Sequence, residues 1–137
     1  MALNPLDEIR YSVMCDVDIV LCRQKGREMA VQMGFAYSDG VLIATAISEL
    51  ARNIVKYAKS GEILITQVEN GANAGIQVIA RDKGPGIRNI DMAMQDGYST
   101  SGGLGLGLPG VRRLMDTFEI VSSDGSGTTV TTTKWRR

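Results

Sequence analysis

Apolar and polar positions alternate along two stretches near the middle of the chain, GEILITQVEN (61–70) and AGIQVIARD (74–82), and the Asn-Gly-Ala-Asn turn between them predicts a hairpin. Elsewhere the period changes. DEIRYSVM (7–14) predicts a strand, and residues 17–34 predict a helix that carries Val17, Val20, Leu21 and Met29 and ends at Gly34. A second helix is expected from Ser38 or Asp39 as N-cap to about Ser60, with Gly61 as its stop. FEIVSSDGSGTTVTTTKW (118–135) predicts a closing hairpin. The sum is an α/β fold, a mixed sheet with helices packed on one face.

Between the two hairpins the pattern breaks at SGGLGLGLPGVRRLMD (101–116). Glycine gives up the most conformational freedom on folding, so Gly103, Gly105 and Gly107 predict a loop that bends sharply or approaches something closely. Pro109 suits a first helical turn, where its missing N–H costs nothing, and Val111, Leu114 and Met115 continue at helical spacing. A glycine loop feeding a helix N-terminus offers free N–H groups and partial positive charge, a combination suited to phosphate.

Composition narrows what such a site serves. The 137 residues suffice for one ordinary domain over 1–137, and 15 basic residues balance 15 acidic ones, which leaves no electrostatic footprint for nucleic acid or an anionic membrane. No apolar run approaches the ~18 residues of a spanning helix and the N-terminus lacks a signal-peptide pattern, so the expected location is cytoplasmic. Cys15 and Cys22 are expected as packed free thiols in an apolar-rich segment. Histidine is absent. That excludes a Ser-His-Asp or Cys-His triad, an HExxH zinc site and a phosphohistidine on this chain.

The second helix carries one polar stripe in an otherwise apolar surface: Glu49, Asn53 and Lys56 fall at i, i+4 and i+7 among Val41, Leu42, Ile43, Ala44, Ile47, Leu50, Ile54 and Val55. Such a stripe is either a solvated face with an internal ion pair or a site. As a site its chemistry is coherent: an Asn oxygen suits Mg²⁺, a carboxylate one turn away suits a general base, and a Lys suits phosphate charge. RDKGPGI (81–87) presents Asp82 ahead of Gly84 and Gly86, where a backbone could fold around a flat ligand; by itself it is a good turn. GSGTTV (125–130) is an ordinary hairpin turn unless Thr128 has a partner.

Taken in order, Glu-x-x-x-Asn on a helix, Asp-x-Gly-x-Gly after a strand, Gly-x-Gly-Leu-Gly-Leu opening a helix and Gly-Thr beginning a last strand resemble the four nucleotide-binding boxes of the GHKL ATPase/kinase superfamily, across about residues 38–131. The resemblance implies the Bergerat ATP-binding fold, a two-layer α/β sandwich with a mixed, mostly antiparallel sheet. It also implies roles for residues. Asn53 would hold Mg²⁺, Glu49 would be the general base, and Lys56 would join the nucleotide site. Asp82 would accept from the adenine amino group beside Gly84 and Gly86, with Thr128 completing that contact. The loop Gly103, Leu104, Gly105, Leu106, Gly107 and Leu108 would lap the phosphates of ATP, its leucines 106 and 108 anchored in the core.

Other glycine motifs fail on context. GLGLPG (105–110) matches GxGxxG, but no strand precedes it, and no GxxxxGK[ST] or eukaryotic-type kinase signature occurs. Within the superfamily the missing histidine and the short chain leave the stand-alone serine kinases of bacterial partner switching, the anti-sigma group, and GLGLGLPGVRRLMDTFEI with ELARNIVKYA most resembles the switch kinases of the stressosome. The resemblance then implies RsbS/RsbR-like STAS-domain proteins as substrates, release to an RsbU-type phosphatase, or alternatively a sigma factor held by a nucleotide-gated binding protein, and no nucleic acid or membrane partner. Arg52, Arg112 and Arg113 stay outside the catalytic set, and Trp135, with Lys134, Arg136 and Arg137 around it, is expected to cover a sheet edge.

Overall fold

The computed structural model describes residues 8–86, 94, 107–122 and 125–137. Five strands, β1 (Glu8–Val13), β2 (Gly61–Asn70), β3 (Asn73–Asp82), β4 (Thr117–Ser122) and β5 (Thr128–Trp135), form one sheet in the order β1-β2-β3-β5-β4. Each neighbouring pair is antiparallel. β3 and β4 therefore run the same way with β5 between them, and the crossover that joins them contains the glycine stretch and helix α3 (Gly107–Leu114).

Helices α1 (Asp16–Gln32) and α2 (Tyr37–Asn53) cover one face of this sheet with α3, which makes the two-layer sandwich expected from the pattern. The period of two sets the core. Ile63 and Ile65 of β2, Ile76, Val78 and Ala80 of β3 and Val130 of β5 fall on the same face by register, and meet Ile43, Ile47, Leu50 and Ile54 from the helix layer. Fully burying each large aliphatic side chain is worth roughly 1.5–3 kcal/mol, so these positions hold the layers together. Along α2 the buried residues include Ile43, Ala46, Ile47, Leu50 and Ala51, so the candidate site residues Glu49 and Asn53 ride on a helix packed along its length.

Several local features differ from the expectation. Ala36, not Ser38 or Asp39, is the N-cap of α2, and both polar residues lie within its first turn. The α-helix also stops earlier, at Asn53; Ile54–Ala58 forms a π-helical turn, and the left-handed Lys59 (φ 71°) ends it. Gly61 is instead the first residue of β2, where it passes so close to β3 that a Cβ would stand 2.5 Å from the Arg81 carbonyl oxygen. Of the four apolar residues expected to define α1 only Met29 is buried; Val17, Val20 and Leu21 face outward, while Ile19, Cys22 and Ala30 face the core.

The two cysteines also part company. Cys22 is packed, and burial, with the Asp18 charge adding to it, pushes its thiol up to about 11. Cys15 is exposed: it is the N-cap of α1, where the Asp18 carboxylate accepts from the Met14 and Cys15 amides at 2.9 and 3.3 Å. Trp135 covers no edge, because β5 is an interior strand; its ring lies over Gly75 of β3, 2.7 Å from where a Cβ would be. The basic residues beside it satisfy backbone carbonyls, Lys134 Nζ donating to Leu114 O at the end of α3 and Arg136 to Met33 O after α1.

Candidate functional site

Glu49 is the most telling side chain of α2. It is 6% exposed, a carboxylate among core residues, and both its oxygens have donors: Arg52 Nη1 on Oε1, and the backbone N–H of Gly107 on Oε2 at 3.2 Å. Gly107 is the residue at which the glycine stretch enters α3. A buried carboxylate requires hydrogen-bond partners, so packing of α2 against α3 and the placement of Glu49 support each other.

One turn on, the half-buried Asn53 closes α2. Lys56 does not continue the same stripe, because the π-helical turn carries fewer degrees of rotation per residue than an α-helix. It is exposed, and its Nζ stands 5.2 Å from the centroid of the Tyr57 ring.

The second cluster forms where β3 and β5 end side by side. Asp82 pairs with Thr128 across the strands, so two residues 46 positions apart in sequence share one register step. The Asp82 carboxylate accepts from the Gly84 N–H at 2.8 Å, an Asx-type turn that folds the chain back at the strand end. Gly84 lies against the π-helical turn: a Cβ there would stand 2.6 Å from Ala58 Cβ. That turn therefore bridges the polar end of α2 and the Asp82 end of β3.

Gly127 closes the cluster from the β5 side. Its φ is +82°, and a Cβ would run into the Asp82 carbonyl oxygen and stand 3.0 Å from Lys83 Cα. The 125–127 turn is also tied to the segment after β3, Gly125 N–H donating to Pro85 O at 2.5 Å. Thr128 Oγ1 lies 2.7 Å from Ser122 Oγ, which itself donates to Gly127 O at 2.9 Å. A serine hydroxyl has one proton, so with that proton on Gly127 the Thr128 hydroxyl donates to Ser122 and keeps its lone pairs for an incoming donor.

The structure thus brings Glu49 to Gly107 and Asp82 to Gly84 and Thr128, and it sets Leu108 in the core. Gly86 follows on the segment after β3, with φ +79°. Gly103, Leu104, Gly105 and Leu106 lie outside the described residues. Two contributors are new, Ala58 against Gly84 and Ser122 on Thr128, and Arg52, left outside the catalytic set by the sequence, lies on Glu49. Arg52 had a signal in its i,i+3 spacing from Glu49 and Ser122 in the hairpin register that pairs it with Thr128, whereas Ala58 had none. Among the described residues no group of three or more His, Cys, Asp or Glu could hold a metal, and no helix is long and apolar enough to cross a membrane.

Comparison with known proteins identifies the family. The chain is 51% identical over 131 residues to the serine/threonine-protein kinase RsbT of Bacillus subtilis, an alignment covering 96% of this chain and 98% of the relative. It is 35% identical over 99 residues to an anti-sigma F factor of Thermoanaerobacter sp. and 31% over 100 residues to that of Bacillus cytotoxicus, covering 68% of this chain and 68% and 67% of those relatives. Residues 38–136, from the start of α2 to the end of the closing hairpin, match the family described as histidine kinase-, DNA gyrase B- and HSP90-like ATPases, and the chain belongs to that ATP-binding family.

Proposed function

We propose that this chain is a serine/threonine-protein kinase of a bacterial stress-response switch, which transfers the γ-phosphoryl group of ATP to a hydroxyl on a STAS-domain protein. The observation that carries this reading is the Glu49 carboxylate, buried and held on the N–H of Gly107 where the glycine stretch becomes a helix. A protein that only binds nucleotide has no need of a base at that point. The 51% identity to RsbT over nearly the whole chain supports the acceptor class.

In the proposed reaction Glu49 takes the proton of the acceptor hydroxyl as its oxygen bonds to the γ-phosphorus and the bond from that phosphorus to the β–γ bridging oxygen breaks; ADP leaves, and Glu49 returns the proton to solvent. With the Gly107 N–H on Glu49 and none on Pro109, the backbone N–H groups of Leu108 and Gly110 at the start of α3 would meet the developing charge, where preorganised donors act most strongly. Asn53, a neutral hard oxygen donor beside a carboxylate, fits Mg²⁺, which would supply charge against the phosphate oxygens. Lys56, off the Glu49 stripe but one π-helical turn away, would add a cation to the nucleotide site. Asp82 would accept from the adenine amino group with Thr128 beside it, and Gly84 and Gly86 would let the base lie against the backbone. Gly103, Leu104, Gly105 and Leu106, with Gly107 and Leu108, would complete the phosphate loop.

The similarity to anti-sigma F factors favours a second reading, a nucleotide-gated protein that acts by sequestering a sigma factor or by binding an RsbU-type phosphatase. One experiment separates the two. Labelled γ-phosphate is followed from Mg·ATP to a purified STAS-domain protein of the same genome, with Glu49→Ala alongside. Label on a serine or threonine that disappears in the variant supports the kinase; ATP binding and complex formation without label sink it.

A further inference from the structure

Arg52 sits three residues after Glu49 on α2, a spacing at which an exposed pair is ordinarily weak. This pair is asymmetric. The Glu49 side chain is 8% exposed and that of Arg52 is 47% exposed, so the guanidinium reaches in from solvent to grip one oxygen of a buried carboxylate. The other oxygen is on the Gly107 N–H. One oxygen is thus tied to its own helix and the other to the exit of the glycine stretch. With Oε1 held, rotation about the last torsion of the side chain is blocked and Oε2 stays at Gly107.

We infer that Arg52 is a positioning residue for the Glu49 carboxylate: its guanidinium fixes the orientation in which Glu49 meets both the acceptor hydroxyl and the start of α3. The inference rests on the kinase reading above. Arg52 acts through Glu49 and needs no contact with ATP or with the acceptor. Each carboxylate oxygen carries two lone pairs, so an oxygen that accepts from Arg52 or Gly107 can still take a proton. A freely rotating carboxylate, by contrast, would spend most of its time away from the acceptor, and misplacement by about 1 Å costs on the order of 10²-fold in rate.

The test is single-turnover transfer from labelled Mg·ATP to the same STAS-domain protein, for the wild-type chain, Arg52→Met, Arg52→Lys, Glu49→Gln and the double variant Glu49→Gln/Arg52→Met. Methionine suits an exposed helical position. Arg52→Met is expected to slow transfer by roughly ten- to a hundredfold, with the calorimetric Kd for ATP within about twofold of wild type. Arg52→Lys falls between, since a point charge restores attraction without the planar fork. The double variant matches Glu49→Gln, because nothing remains to be positioned. Independently of activity, the amide resonance of Gly107 shifts in Arg52→Met. Full-rate Arg52→Met beside an inactive Glu49→Gln overturns the role of Arg52 alone. So does an unmoved Gly107 resonance, a further loss in the double variant, or a rate loss matched by weaker ATP binding. Full-rate Glu49→Gln, or a wild-type chain that transfers nothing, overturns the base assignment or the kinase reading, and the role of Arg52 with it.

Discussion

The two ends of the candidate site are built by different means. At the α2–α3 end, placement depends on charge and hydrogen bonding: a buried carboxylate holds an arginine on one oxygen and a glycine N–H on the other. At the β3–β5 end, placement depends on backbone proximity: Gly84 lies against Ala58, Gly127 lies against Asp82 and Lys83, and the polar side chains stand on strands already in register. The first kind of site can lose its chemistry and keep its fold. The second cannot accept one extra methyl group without moving.

The strongest effect should come from Glu49→Gln, which keeps the shape and removes the base. A loss of about 10²–10⁴-fold in phosphoryl transfer is expected, with ATP affinity retained in a calorimetric titration. A Glu49→Gln chain that unfolds would show that this end too is held by packing, and would break the contrast.

Gly127→Ala tests the opposite end. Overpacking at about 1–3 kcal/mol and a left-handed backbone at about 1–2 kcal/mol together predict the largest stability loss of any single methyl in the site, read by denaturant unfolding. Gly125→Ala is its control, because φ is similar at +81° but nothing among the described residues lies within 4 Å of its Cβ position. It should pay only the backbone cost. Equal losses in the two variants would show that close approach at Gly127 contributes nothing.

Asp82→Asn should leave the strand pairing intact and weaken ATP binding, by about 1.5–3 kcal/mol for a hydrogen bond to a charged group. Unchanged affinity in calorimetry would remove Asp82 from the nucleotide site. The smallest effect is expected away from both ends. Burial of Asp116 opposes its ionisation, but donors from Arg137 and the Trp135 N–H, with the Lys134 and Arg137 charges, outweigh it and hold the carboxyl below its ordinary 3.8. A carboxyl depressed in the folded state stabilises the fold above its unfolded pKa, and that contribution is lost as pH falls through the folded value. Wild type and Asp116→Asn should therefore differ in stability at pH 7 and converge in strong acid.

Local pattern revealed the elements themselves. The alternation in β2 and β3, the helical start around Pro109 and the apolar face of α2 each follow from the spacing of residues close in sequence, and each stands where it was expected. Helix ends were less legible. Ser38 and Asp39 are good capping residues, yet Ala36 holds the N-cap, because tertiary packing of Phe35 and Gly40 decides where α2 starts. The π-helical turn had no local signal either; it arises where Ile54 and Ala58 must meet Gly61 and Gly84.

What the sequence alone determined is the inventory: which side chains could act as base and metal ligand, and on which kinds of element they ride, since chemistry and periodicity are properties of local residue order; an adenine contact for Asp82 is implied by the family resemblance alone. Their assembly required the tertiary structure. Asp82 meets Thr128 because β5 inserts between β3 and β4, and Glu49 meets Gly107 because α2 packs on α3. Such contacts join residues 46 and 58 positions apart, and their geometry depends on burial and packing of the whole sandwich, which no short stretch of chain encodes.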